Sequence, residues 1–195
     1  MVSRATTRPV SSTHCELAPR GVLGMRVLWF ERDEYSRAPR AAERWREYCL
    51  SSVTTHDLPP TAGYLAGDHV RLRDSLGLLT RPVADEIADD DREKGAWLAE
   101  LRRLGLLAQD EDGTEQIITA LYRFLARTPS RLVALALTDA VGDRRTQNQP
   151  GTTDEYPNWR VPLTGPDGRP LLLEDVFTDA RAAALCEVLR AELAG

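Results

Sequence analysis

Residues 51–65, "SSVTTHDLPPTAGYL", place a threonine, an imidazole and a carboxylate side by side at Thr55, His56 and Asp57. The residues before them favour extended structure, and Pro59-Pro60 make the chain rigid just after. A His-Asp pair at the end of a strand can do acid–base work, bind hydroxyls or hold a metal. A plainer use is equally open here, because Asp57 ahead of prolines also suits the N-cap of a helix. His14, His56 and His69 lack the spacing of metal ligands, so no metal site is expected.

Other polar groups gather at similar places. Glu31-Arg32-Asp33 follow the apolar run Met25–Phe30, and Asp139 follows the run Leu132–Leu137. Gln147, Asn148 and Trp159 lie in a loop dense in turn formers, "RRTQNQPGTTDEYPNWRVPL". Carboxylates, an imidazole, amides and an indole together would suit a sugar: bidentate hydrogen bonds to hydroxyls, and an aromatic face for the ring. Glu31 and Asp33 could equally be solvated strand-end charges, and Trp159 could simply pack within its loop.

The elements that would position these groups follow from patterning. Met25–Phe30 reads as a buried strand, "SSVTTHD" as a second and Leu132–Leu137 as a third. "PRAAERWREYCLS" has helical spacing at Ala42, Trp45 and Cys49. A helix beginning near Asp57 is expected to break at Gly63 and Gly67. One or two helices are expected in "PVADEIADDDREKGAWLAELRRLGLL", with Trp97, Leu98, Leu101 and Leu104 at 3–4 spacing, and Asp89-Asp90-Asp91 on a solvated face. "TEQIITALYRFLARTPS" carries an apolar stripe of Ile117, Ile118, Leu121 and Leu125. "TDARAAALCEVLRAELAG" closes the chain as a helix. Trp45 and Trp97 are expected in the core. Strand–helix alternation of this order makes parallel β/α units, whose chemistry sits at the C-terminal strand ends.

Composition sets bounds. With 195 residues, 42% hydrophobic and 28% charged, the chain suits one globular domain. A net charge of −5 argues against nucleic acid or an anionic membrane as partner. Lys94 is the only lysine among 25 basic residues. The three cysteines Cys15, Cys49 and Cys186 form no C-x-x-C pair, which fits a reducing compartment and excludes a cysteine zinc site. No apolar run approaches a membrane span, and a cytoplasmic location is expected. Residues 1–20, polar and aperiodic, are expected to be poorly ordered.

Three blocks, "VLWFERD", "VTTHDLPPTAGYL" and "QNQPGTTDEYPNWRVPL", come in an order that resembles the C-terminal third of the 4-alpha-glucanotransferases (amylomaltases or disproportionating enzymes) of glycoside hydrolase family 77. The resemblance runs from about Arg20 to the C-terminus. It implies an α/β fold, part of a TIM (β/α)8 barrel. Met25–Phe30 would be strand six, Val53–Thr55 strand seven and Leu132–Leu137 strand eight, with residues 21–195 forming the barrel part. It also implies transfer of α-1,4-glucan segments between maltooligosaccharides, or to glucose as acceptor, by retaining double displacement without metal or organic cofactor.

On that resemblance Asp57 matches the third, transition-state-stabilising carboxylate, and His56 the substrate-binding histidine beside it. Thr55, Asn148, Pro150, Trp159 and Arg160 match positions that shape the sugar site. The family's acid/base glutamate lies in a Gly-Glu-Asp-Leu-Gly block about one helix before "GVLG". Here that place holds "MVSRATTRPVSSTHCELAPRG", where Glu16 has no matching neighbours, and the nucleophile strand has no counterpart. The expectation is therefore a chain inactive alone. The alternatives are a non-catalytic glucan- or partner-binding remnant, or a truncated product without function.

Overall fold

A computed structural model describes residues 18–194. Most of the stretch expected to be poorly ordered, with His14, Cys15 and Glu16, lies outside them, whereas Ala18–Arg20 form a 3-10 turn. Three strands, β1 (Gly24–Val27), β2 (Cys49–Ser52) and β3 (Leu132–Ala134), make a parallel sheet in that order. The register pairs Gly24 with Cys49 and Leu50 with Leu132. The helices are α1 (Thr61–Leu65), α2 (Asp68–Ser75), α3 (Val83–Arg103), α4 (Thr114–Ala126), α5 (Leu137–Val141), α6 (Leu173–Thr178) and α7 (Ala180–Ala194).

All three strands are shorter than the sequence pattern suggests, each for a local reason. Leu28–Phe30 wind into a 3-10 turn closed by Glu31 N–H donating to Leu28 O at 3.0 Å. The turn buries Leu28 and Trp29 together, which a strand would have sent to opposite faces, and leaves Phe30 exposed. β2 stops at Ser52 because hydroxyls compete with the ladder: Ser52 Oγ donates to Thr54 O at 2.6 Å and Thr54 Oγ1 to Pro59 O at 2.8 Å. The second strand is thus Cys49–Ser52 and not Val53–Thr55. β3 ends before Leu135, and Leu137 opens α5, so Asp139 is a helical residue.

The helix expected around residues 39–51 is only a 3-10 turn, Ala42–Arg44. Trp45 is extended (φ −72°, ψ 160°), its Nε1–H donates to Arg40 O at 3.2 Å, and Cys49 belongs to β2. Gly67 (φ 71°) does separate α1 from α2, but Gly63 lies inside α1. Residues 83–103 form one helix, with Asp85 and Glu86 in its first turn and Arg102 and Arg103 in its last, signs that complement the helix dipole.

The core lies against the sheet and is aromatic. Trp29 packs on Tyr64 at a tilt of 42° with centroids 4.4 Å apart, Trp97 meets Trp29 edge-on at 6.4 Å, and Phe124 meets both Trp97 (5.3 Å) and Trp45 (6.0 Å). Ile117, Ile118, Leu121 and Leu125 of α4 are all buried, as their spacing requires, and Leu185 and Leu189 of α7 join the same cluster. Asp90 departs from its expected solvated face. It is buried, with His69 Nε2 at 3.2 Å and Lys94 Nζ at 2.8 Å, while Asp91 stays exposed and takes the same ammonium at 3.0 Å. Burial pushes the Asp90 carboxyl up, but the hydrogen bonds from His69 and Lys94 outweigh it and hold the group below its ordinary range.

Candidate functional site: a polar cluster at the strand ends

Parallel pairing puts the C-terminal ends of all three strands on one side. A cleft opens there, lined by Thr54, Thr55 and His56 after β2, by Leu135 and Thr138 after β3, and by Gln147. The side-chain hydrogen bonds that stop β2 throw Thr55, His56 and Asp57 outward. Thr55 Oγ1 accepts Asp57 N–H at 3.3 Å, and Leu58 N–H reaches Thr55 O at 3.2 Å, so the triplet forms a tight turn before Pro59.

Asp57 caps no helix. Pro60 is the residue that precedes α1, and its side chain makes no cap bond. The Asp57 carboxylate instead faces across the sequence: Asn148 Nδ2–H donates to Oδ1 at 2.6 Å, and His56 Nε2 lies 3.2 Å from Oδ2. His56 in turn sits against Trp159, with centroids 5.1 Å apart and planes tilted by 45°. The structure therefore brings Thr55, His56, Asp57, Asn148 and Trp159 together. The His56 and Asp57 side chains are 62% and 52% exposed, and Trp159 is 64% exposed. Pro150 and Arg160 are exposed on the same loop, and among the described residues neither side chain is hydrogen-bonded to this group.

The loop is built to hold Trp159 out. Asn158 Oδ1 accepts Gln149 N–H at 2.7 Å, and its Nδ2–H donates to Thr152 Oγ1 at 2.8 Å. Tyr156 Oη–H donates to Thr146 O at 2.6 Å, and Trp159 N–H to Gln147 O at 2.9 Å. Trp159 itself is at φ 62°, a left-handed conformation that costs an L-residue roughly 1–2 kcal/mol. Strain of this kind persists only where surrounding bonds impose it.

Two groups expected at the site are elsewhere. Glu31 is buried between Arg26 (2.9 Å) and Arg40 (3.2 Å), which occupy its two oxygens, and Arg32 pairs with Glu93 at 3.0 Å. Asp33 accepts the N–H groups of Ser36 and Tyr35, which hold its carboxyl below the usual range. Asp139 is 4% exposed and faces inward: Oδ1 accepts Thr61 N–H at 2.8 Å, and Oδ2 accepts Thr61 Oγ1–H at 2.6 Å and Tyr122 Oη–H at 2.9 Å. Burial raises the Asp139 carboxyl, and these donors offset it only in part. Thr61 and Tyr122 were not legible as partners, since neither carries a local motif. Among the described residues no group of three or more His, Cys, Asp or Glu side chains could hold a metal ion, and no helix is long and apolar enough to cross a membrane.

Fold and cluster together define a β/α chain with a set of hydrogen-bonding side chains and an exposed indole at the C-terminal ends of parallel strands. The sequence profile of glycoside hydrolase family 77, 4-alpha-glucanotransferase, matches residues 11–167, well over half of the chain, and the chain belongs to that family. The 4-alpha-glucanotransferase of Mycobacterium tuberculosis is 70% identical over 176 residues, which cover 88% of this chain and 24% of that protein. The crystal structure of amylomaltase from Corynebacterium glutamicum superposes with a TM-score of 0.87 at 36% identity, over 96% of this chain and 28% of its own. Amylomaltase from Streptococcus agalactiae in complex with acarbose, 16% identical with a TM-score of 0.55 over 96% of this chain and 30% of its own, shares the fold. The chain thus spans about a quarter of the length of the curated relatives it matches.

Proposed function

We propose that residues 21–195 are the part of a (β/α)8 glucanotransferase barrel that carries strands six, seven and eight, here β1, β2 and β3. The activity would be transfer of α-1,4-glucan segments between maltooligosaccharides or to glucose, in the cytoplasm. The supporting observation is the cluster of Asp57, His56, Asn148 and Trp159. It offers a carboxylate held by an amide, an imidazole beside it, and an exposed indole at the mouth of the strand-end cleft.

In this reading Asp57 accepts hydrogen bonds from two hydroxyls of one glucose ring, and those bonds strengthen as the ring flattens toward the oxocarbenium-like transition state. His56 donates to a neighbouring hydroxyl, and Trp159 gives the apolar face of a ring something to lie on. Thr55 sets the turn. Pro150 and Arg160 would shape the outer part of the loop. Double displacement also needs a nucleophile and an acid/base carboxylate. Both belong, in this reading, to barrel strands other than six to eight, so Asp57 stabilises a reaction begun by other groups.

A second reading has an observation of its own. Met25 and Leu132, in the two edge strands, and Val22, Leu23 and Leu137 beside them are each 37–49% exposed, an apolar surface at an open sheet. That favours a chain that binds the rest of such a barrel without catalysing anything by itself.

A disproportionation assay separates the readings. Purified chain is incubated with maltotriose, glucose and longer maltodextrins are followed, and Asp57→Asn is run beside it, with acarbose binding measured on both. Acarbose binding lost in Asp57→Asn without turnover supports the site as proposed. Turnover by the wild-type chain would overturn the assignment of the other two carboxylates. No binding by the wild-type chain would leave only the docking reading.

A further inference from the structure

Asp57 and Asn148 stand 91 residues apart, yet their side chains meet at 2.6 Å. Neither belongs to a helix or strand, so something beneath them must fix the two arms. Forward from Asp57 the chain passes through Leu58 and two prolines, Pro59-Pro60, into α1 at Thr61, which is fully buried. Both the amide and the hydroxyl of Thr61 end on Asp139. Backward from Asn148 the chain reaches Asp143, also fully buried, just past α5. Asp143 Oδ1 accepts Arg145 N–H and Oδ2 accepts Thr164 N–H, each at 2.9 Å, which pins both ends of the loop carrying Asn148 and Trp159.

Asp139 lies in α5 and Asp143 four residues on, just past the left-handed Gly142 that ends the helix. Asp139 is satisfied by a backbone amide and two hydroxyls, and Asp143 by two backbone amides with the Arg145 guanidinium at 3.4 Å, an arrangement that makes a buried polar network rigid. Tyr122 adds a fixed point in α4: its hydroxyl donates to Asp139 and accepts Ala136 N–H at 3.0 Å, where the chain leaves β3.

We propose that Asp139 is a positioning residue of the glucan site: with Asp143 it makes α5 the post from which both halves of the Asp57–Asn148–Trp159 cluster hang. This rests on the glucan reading for its consequence, but its geometry can be tested without ligand. A merely structural Asp139 would lower stability on substitution and leave the surface pair of His56 and Trp159 as it is.

The readout is the ring-current displacement of the His56 C–H protons by Trp159 in NMR spectra of the free chain, with maltoheptaose affinity measured alongside. Asp139→Asn and Thr61→Val should reduce the displacement by at least about half and weaken maltoheptaose binding about tenfold, a difference of about 1.4 kcal/mol. Thr61→Ser, which keeps the hydroxyl, should retain both. Val141→Ala, a fully buried apolar change on the same helix, should lower the melting temperature and retain the displacement. If Asp139→Asn does not fold, the comparison of Thr61→Val with Thr61→Ser decides. An unchanged His56 displacement in folded Asp139→Asn and Thr61→Val overturns the proposal. So does a wild-type His56 with no displacement, because no held pair then exists. Absence of maltoheptaose binding by the wild-type chain overturns the glucan reading alone, and the ring-current comparison still decides the positioning role.

Discussion

Gly63→Ala and Gly95→Ala make the same change in the middle of two helices, and opposite outcomes are expected. By intrinsic propensity each should stabilise its helix by roughly 0.8–1 kcal/mol. At Gly95, on the exposed side of α3, an added Cβ meets nothing within 4 Å, so that gain should appear undiminished. At Gly63 the new Cβ would fall inside the contact radius of the Arg144 carbonyl oxygen and 3.1 Å from its carbonyl carbon. Neither is the end of a flexible side chain. Arg144 is held by its guanidinium on Asp68 at 2.8 Å and by the Asp143 network next to it, so the backbone must shift. Overpacking of this sort costs about 1–3 kcal/mol and exceeds the propensity gain. For a domain of this size each kcal/mol moves the melting temperature by roughly 2–4 °C. Thermal denaturation should place Gly95→Ala up to about 4 °C above the wild type, and Gly63→Ala several degrees below it. If Gly63→Ala is as stable as Gly95→Ala, α1 does not lie against the Arg144 backbone, and the placement of Asp57 ahead of that helix is wrong as well.

Trp159→Gly should stabilise the fold by about 1 kcal/mol, since glycine adopts φ 62° freely, and under the proposed glucan reading should weaken acarbose binding; urea denaturation and calorimetric titration check the two halves. Asp90→Asn should destabilise by about 1–3 kcal/mol at neutral pH, because it removes the carboxylate from a buried position and leaves the part-buried Lys94 with only the exposed Asp91 as partner. The folded Asp90 carboxyl lies below its unfolded value of 3.8, so its contribution is complete above that pH and is lost as pH falls through the folded value. Denaturation curves of wild type and variant should therefore converge in acid, and a constant gap down to the lowest pH would refute the pairing.

What could be read from the sequence was what local spacing records. The α4 stripe of Ile117, Ile118, Leu121 and Leu125 specifies a buried helix face on its own, and all four residues are buried. The pattern at Ala42, Trp45 and Cys49 has similar spacing and gave no helix, because β2 claims Cys49 for pairing with Gly24 and the core draws Trp45 onto Phe124. Tertiary demand overrode local propensity there.

The same division runs through the candidate site. Thr55, His56 and Asp57 are neighbours in sequence, so their gathering at the end of β2 was legible from one block. Asn148 and Trp159 could be named from a second block, but what carries them to His56 and Asp57, the parallel sheet and the loop clasp of Asn158, leaves no local signature. Asp139 shows the limit most clearly. A carboxylate following an apolar, strand-like run reads as a group presented at a strand end. Donors 17 and 78 residues away decide instead that it turns inward. A buried aspartate with three donors is costly to desolvate and inexpensive to keep only while every donor stays in place. Its burial is therefore informative about the site above it: the two arms that end in Asp57 and Asn148 cannot separate without breaking the bonds that satisfy Asp139 and Asp143.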